Sequence, residues 1–323
     1  MIIPGASKVK RFLVCFIIGL ILTLQLKTGR AEKPSELEGV IDISGAWALY
    51  PMMVKWAEEF QSIHPNVKIN ISAGGAGKGM ADCLAGVVDL GMISRDINDE
   101  EIKKGAWWIS VVIDAVVPTV NENNPILNDI LKNGIKREAF IDIWVTKQIK
   151  TWGEAAGNDA KDIINVYTRS DACGAAETWA KYLDKKQEDL EGVGVYGDPG
   201  IAEVVKKDIL GIGYNNINFV YDANTKRPIA GIKVIALDID GNGRLDTKEN
   251  FYDNRDQLIQ AIRNGKYPSP PARKLYLASQ GKPKKEIVLE FLGWILADGQ
   301  KFVSETGYIN LPEKEIEEEL NRL

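Results

Sequence analysis

Hydrophobic and polar positions alternate with two periods along this chain, and the switch between them marks the elements. Residues 40–43 form a short apolar run of strand type. In residues 51–63, Met52, Trp56, Ala57 and Phe60 share one face, the spacing of an amphipathic helix. Pro51 stands at a first-turn position, where its missing N–H is harmless. From 67 to 72, Val67, Ile69 and Ile71 alternate with Lys68, Asn70 and Ser72, which predicts a half-buried strand. A glycine-rich turn at 74–79 leads into a helix over 80–85, and residues 89–93 read as a third strand. Such repetition predicts an α/β fold with a mostly parallel sheet, whose ligands gather at the carboxyl ends of the strands. Those ends hold residues 44–47, 74–75 and 94–95.

The pattern continues through a strongly apolar strand at 109–120, a short helix within 140–152, and a strand at 164–168 that delivers residues 169–174 to a helix over 175–183. Residues 209–214 and 231–237 read as further strands, and the last quarter is helical around 257–262 and 285–297. Two lobes with two hinge crossings follow. The expected first lobe joins 37–117 to 225–323, and the second is 118–224. Each is a mixed, mostly parallel sheet flanked by helices.

Composition and charge narrow the class. At 323 residues, 45% hydrophobic and 26% charged, the chain is neither disordered nor a coiled coil. Residues 1–31 have a basic head (Lys8, Lys10, Arg11), a short apolar body and small residues Gly29 and Ala31, the pattern of a cleaved secretory signal peptide. Cys15 lies inside that apolar body, not at a lipoprotein-type end. Cleavage removes five basic residues and no acid, taking the formal charge from −5 to about −10, which disfavours nucleic acid as a partner. The expectation is a monomer in the periplasm or extracytoplasmic space, with no membrane insertion after cleavage. Cys83 and Cys173 remain, without metal-type spacing, and His64 is the sole histidine, so histidine triads and zinc sites are disfavoured. Lys78 follows glycines but does not complete a nucleotide-binding loop.

Several phrases together resemble a known family. These are Gly45-Ala46-Trp47 ahead of Pro51, the glycine turn 73–79, Ile93-Ser94-Arg95, Ile149-x-x-Trp152, Arg169-x-x-x-Cys173-Gly174-Ala175, Ile212-Gly213-Tyr214, and Tyr267-Pro268 before Arg273. In this order they resemble the phosphate-binding proteins of ABC transporters, within the type II periplasmic-binding fold. The resemblance implies a receptor, not an enzyme, that holds phosphate between two lobes and delivers it to ABC permease subunits. It implies ligand contacts from Gly45, Ala46, Trp47, Gly75, Ser94, Arg95, Arg169, Cys173, Gly174 and Ala175. Helix-start N–H groups and a bidentate arginine suit an oxyanion. Where the family often carries hydroxyls, this chain has Ala46, Trp47, Cys173 and Ala175. Another oxyanion or a small organic phosphate is therefore the alternative ligand, and a secreted phosphatase-like hydrolase the alternative class. Arg169 pairing with Asp171, and Cys173 as a small buried residue, are the competing structural readings.

One local motif stands apart. Residues 238–249 match the EF-hand loop at every defining position. Asp238, Asp240 and Asn242 offer side-chain oxygens, Arg244 a carbonyl, Asp246 a water-mediated contact and Glu249 a bidentate carboxylate for calcium. The preceding residues are of strand type, so a structural calcium ion, without a paired hand, is expected.

Overall fold

The computed structural model describes residues 37–323; the expected signal segment lies outside the described residues. Eleven strands are described: β1 (Gly39–Gly45), β2 (Val67–Ala73), β3 (Leu90–Ile93), β4 (Ala106–Asn121), β5 (Ile135–Lys136), β6 (Asn165–Arg169), β7 (Val193–Val195), β8 (Gly211–Asn216), β9 (Ile232–Val234), β10 (Leu237–Asp238) and β11 (Ala272–Gln280). The main sheet has the order β2-β1-β3-β11-β4-β8-β6-β7, with β9 also on β4. Its first strands are parallel, β1 to β2 with Ile41 opposite Ile69 and β1 to β3 with Gly45 opposite Met92. The antiparallel pairings are those of β4 and β11.

Helices cover the sheet as the periodicity requires. Helix Tyr50–Ile63 buries Met52, Met53, Trp56, Ala57 and Phe60. Helix Ala76–Leu84 lies unusually close to β1 and β3, because Gly79 faces Gly45: a Cβ on Gly79 would stand 2.7 Å from the Gly45 Cα and 2.8 Å from the Met92 carbonyl oxygen. Glycine at these positions lets the helix start approach the strand ends.

Two hydrophobic cores divide the molecule. One contains Ile41, Trp56, Met92, Val112, Leu275, Phe291 and Tyr308; the other contains Ala115, Trp144, Trp179, Tyr214, Leu258, Tyr267, Ala272 and Ile309. The division falls on β4 between Val112 and Ala115 and on β11 between Ala272 and Leu275. A third strand-like segment joins them, since Ile309 exchanges backbone hydrogen bonds with Ile113 at 2.8 and 3.0 Å.

This corrects the expected domain boundary. The segment from 225 to 271, including the acidic loop, belongs with the second lobe. Within the strand-like run 231–237, Ile232 and Val234 bury in the second core, and β9 lies antiparallel to the far half of β4, with Val234 opposite Thr119. The return crossing is β11. Among the described residues, no helix is long and apolar enough to cross a membrane.

Candidate functional site

The second lobe presents Arg169 on a rigid base. Trp179 stacks on Tyr214 at 5.9 Å, and Trp144 and Phe140 pack edge-on against Trp179. Such aromatic pairs add roughly 0.5–1.5 kcal/mol each beyond area burial. The Tyr214 hydroxyl emerges from this cluster, lies 2.8 Å from the Thr168 hydroxyl and accepts from the Arg169 N–H at 3.2 Å. The end of β6 is thereby fixed.

The Arg169 side chain is fully buried. Its guanidinium donates to both oxygens of Asp171, at 2.8 and 2.6 Å, and to Asp198 at 2.7 Å. Burial opposes its charge, but Asp198 and Asp171 hold it protonated, above the ordinary arginine range. Asp198 opens helix Gly197–Lys207 and also accepts from the backbone and side-chain amides of Asn216, at 3.0 and 2.8 Å. The structural pairing of Arg169 with Asp171 is therefore present, and it is shared with a second acid.

Three loops of the first lobe meet this base. Gly75, at φ +92°, packs on residues 171–173: a Cβ there would be 2.9 Å from the Ala172 carbonyl oxygen and 3.0 Å from Asp171 Oδ2. Gly77 donates its N–H across to that Ala172 carbonyl at 3.2 Å. Gly174 packs so tightly on Ser94 that a Cβ would collide with the Ser94 carbonyl and hydroxyl. Trp47 stands 3.3 Å from the Cβ position of Gly197 and meets Tyr196 and Phe219 edge-on, each at 6.4 Å. The starts of helices Ala76–Leu84 and Gly174–Tyr182 thus face one another across the interface. The first has no side-chain cap, and the second has only the Cys173 sulfur, which accepts from the Ala176 N–H at 3.4 Å.

Not every anticipated residue joins in the same way. Ala46 is buried in the first core, with its N–H on the Met92 carbonyl at 2.8 Å, and the Gly75 N–H is taken by the Gly45 carbonyl at 3.0 Å. Arg95 departs furthest from the expectation. Its guanidinium grips Glu101, at 2.9 Å for one of the two contacts, and reaches Glu177 of the other lobe at 3.4 Å. It fastens the rim between the lobes. Ala175 is buried beside Gly174 in the second core. Burial pushes the Cys173 thiol up to about 12, so it stays protonated at neutral pH and is a poor nucleophile. Cys83 and Cys173 are both free thiols. His64 packs on Phe60, with 4.5 Å between ring centroids, and is not part of the cleft.

Asp114, Asp198, Asn216 and Arg273 were not among the anticipated ligand contacts. Arg273, on β11, donates to the Gly174 carbonyl, the Thr178 hydroxyl and the Asn216 side-chain oxygen, and lies 3.7 Å from Asp114 of β4. For Asp114 the available signal was a lone acid inside the otherwise apolar run of β4. The site therefore sets two arginines against three aspartates, so its net charge does not itself favour an anion; the anion-type donors it offers are helix-start N–H groups.

Similar proteins have this architecture. A Pseudomonas aeruginosa relative called phosphate-binding protein PstS is 26% identical over 305 residues, covering 90% of this chain and 89% of the relative. A Clostridium perfringens chain, assigned as a phosphate ABC transporter substrate-binding protein and solved with bound phosphate, superposes with a TM-score of 0.69 at 24% identity, covering 85% of this chain and all of that one. An ABC-type phosphate transport receptor from Vibrio cholerae gives 0.60 at 20% identity over 84% of this chain and all of that one. These likenesses establish the type II periplasmic-binding fold. The model of the PBP superfamily domain matches residues 30–299, and the chain belongs to that family.

Proposed function

We propose that this protein captures inorganic phosphate between its lobes, outside the cytoplasm, and delivers it to an ABC-type uptake permease. The observation that carries the reading is the meeting of two helix starts, at Ala76 and Gly174, around the buried Arg169–Asp171 pair. The names of the Pseudomonas and Clostridium proteins support the same ligand. A basic and apolar N-terminal segment supports export, and the acidic balance of the chain fits a monomer without nucleic-acid partners.

Asp171 gives the reading its selectivity. Its carboxylate borders the Gly75 turn, at the start of the first of the two helices. Phosphate at neutral pH carries a proton that Asp171 can accept as a hydrogen bond. Sulfate has none, and two facing acceptors repel. The lost hydroxyls at 46, 47, 173 and 175 favour a second reading, a small organic phosphate. The contacts of Trp47 with Gly197 and of Gly75 with residues 171–173 weigh against it, because a bulky ester would hold the lobes apart. The role is binding, not hydrolysis: Cys173 is a protonated thiol and the sole histidine is remote from it.

Calorimetric titration of protein stripped by unfolding and refolding tests the proposal. One-to-one phosphate binding is expected, with sulfate weaker by roughly 100-fold or more. Asp171→Asn should narrow that ratio by at least about tenfold, a change that simple loosening would not produce. A folded, stripped protein that ignores phosphate would sink the reading.

A further inference from the structure

The acidic loop in the second lobe is not explained by anion capture. β10 runs parallel to β5 and delivers Asp238 nearly buried, at 4% exposure. Gly241 and Gly243 take φ of +71° and +76°, and the loop turns back on itself. The N–H groups of Asn242 and Gly243 donate to Asp238 at 3.1 and 2.8 Å, and those of Ile239 and Asp240 donate to Glu249 Oε1 at 3.2 Å each. Leu245 packs towards the core, with its N–H on the Lys132 carbonyl at 3.2 Å.

Ligand oxygens of Asp238, Asp240 and Glu249 lie within 4.8 Å of one another. Glu249 is 3% exposed, and its Oε2 is buried without a hydrogen-bond partner. A buried carboxylate oxygen beside two further acids is costly unless a cation answers it. Lys248 does not, since its ammonium sits on the solvent side, at 2.7 Å from Asp240 Oδ2 and 4.0 Å from Asp246. We propose that residues 238–249 bind one calcium ion through Asp238, Asp240, Asn242, the Arg244 carbonyl, Asp246 and Glu249. The ion fastens this loop to the second lobe. Mixed carboxylate, amide and carbonyl oxygens suit calcium, whereas magnesium demands a tighter octahedron.

The test is independent of phosphate. The purified full chain, treated with a chelator, is titrated calorimetrically with calcium chloride and with magnesium chloride, and its thermal unfolding is followed in parallel. One-to-one calcium binding is expected with Kd on the order of 10⁻⁵ to 10⁻³ M and magnesium at least about tenfold weaker. Tm should rise by roughly 3 °C at tenfold excess over Kd. Glu249→Gln should weaken binding at least about tenfold. Asp240→Asn, at an exposed position, serves the same purpose if the buried variant fails to fold. Lys248→Ala should tighten binding by removing the competing ammonium. Absence of saturable heat and of a Tm shift at about 10 mM calcium overturns the proposal, as does an unchanged response in both acid variants.

Discussion

Cys173 shows how a single residue shapes the proposed anion site. It is the N-cap of helix Gly174–Tyr182, and its sulfur accepts from the Ala176 N–H at 3.4 Å. Sulfur is a weak acceptor, and serine is a strong N-cap. Cys173→Ser should therefore fold normally and add a hydroxyl beside the Arg169–Asp171 pair. One further hydrogen bond is worth about 0.5–1.5 kcal/mol, so phosphate affinity should rise roughly 3- to 10-fold in calorimetry. Weaker binding by the folded variant would show that the site prefers the thiol's bulk to a hydroxyl. Residue identity was legible for Arg169, because a strand end followed by an acid two positions on already suggests a buried pair. Arg95 was not legible in the same way. Its partner Glu101 also closes the capping box of Asn98, accepting from the Asn98 N–H at 3.0 Å. A local helix-start motif thus claims a side chain that an isolated Ser-Arg phrase assigns to ligand.

At the scale of elements, the crossing strands carry a charge where the two cores part. Asp114 of β4 and Arg273 of β11 are register partners. Asp114 is completely buried, and both its oxygens lack a hydrogen-bond partner. Burial pushes its carboxyl up to about 7, against the opposing attraction of Arg273, while Asp198 pushes the same way as burial. The folded pKa thus exceeds the unfolded value of about 3.9. The folded protein binds more protons than the unfolded chain between those values, and its stability falls as pH rises through that window. Asp114→Asn removes this slope. Denaturant unfolding should find variant and wild type similar near pH 4 and the variant progressively more stable up to pH 7 and above, by on the order of a few kcal/mol. A wild-type stability that is flat or rising from pH 5 to 7, with the same slope in the variant, would place the Asp114 proton elsewhere. The long apolar run that became β4 was readable as a crossing strand. Its partner was not: β11 mixes Arg273, Lys274, Ser279 and Gln280 with its apolar residues, and only tertiary pairing shows that it, not β9, spans the cores.

The whole molecule works by bringing these elements together. The two-lobed α/β architecture was readable because alternating periods and ordered glycine turns specify it locally. The boundary at 225 was not, because the acidic loop joins the second lobe through non-local pairing of β10 with β5 and through burial of Tyr252 and Tyr267. The lobes meet at a smaller feature still. Gly174 belongs to the second lobe and touches Ser94 of the first with no room for a methyl group. Its own helix would welcome alanine, which is favoured over glycine by roughly 0.5–1 kcal/mol. Gly174→Ala should therefore leave Tm unchanged or slightly raised while preventing the lobes from meeting. Small-angle scattering should show the wild type compacting on saturation with phosphate and the variant failing to do so. Calorimetry should show affinity lower by roughly 100-fold, since the anion then contacts one helix start in place of two. If the variant closes and binds as the wild type does, contact between Gly174 and Ser94 is not what completes the site, and the burden of closure passes to the Trp47–Gly197 contact and the Arg95 rim.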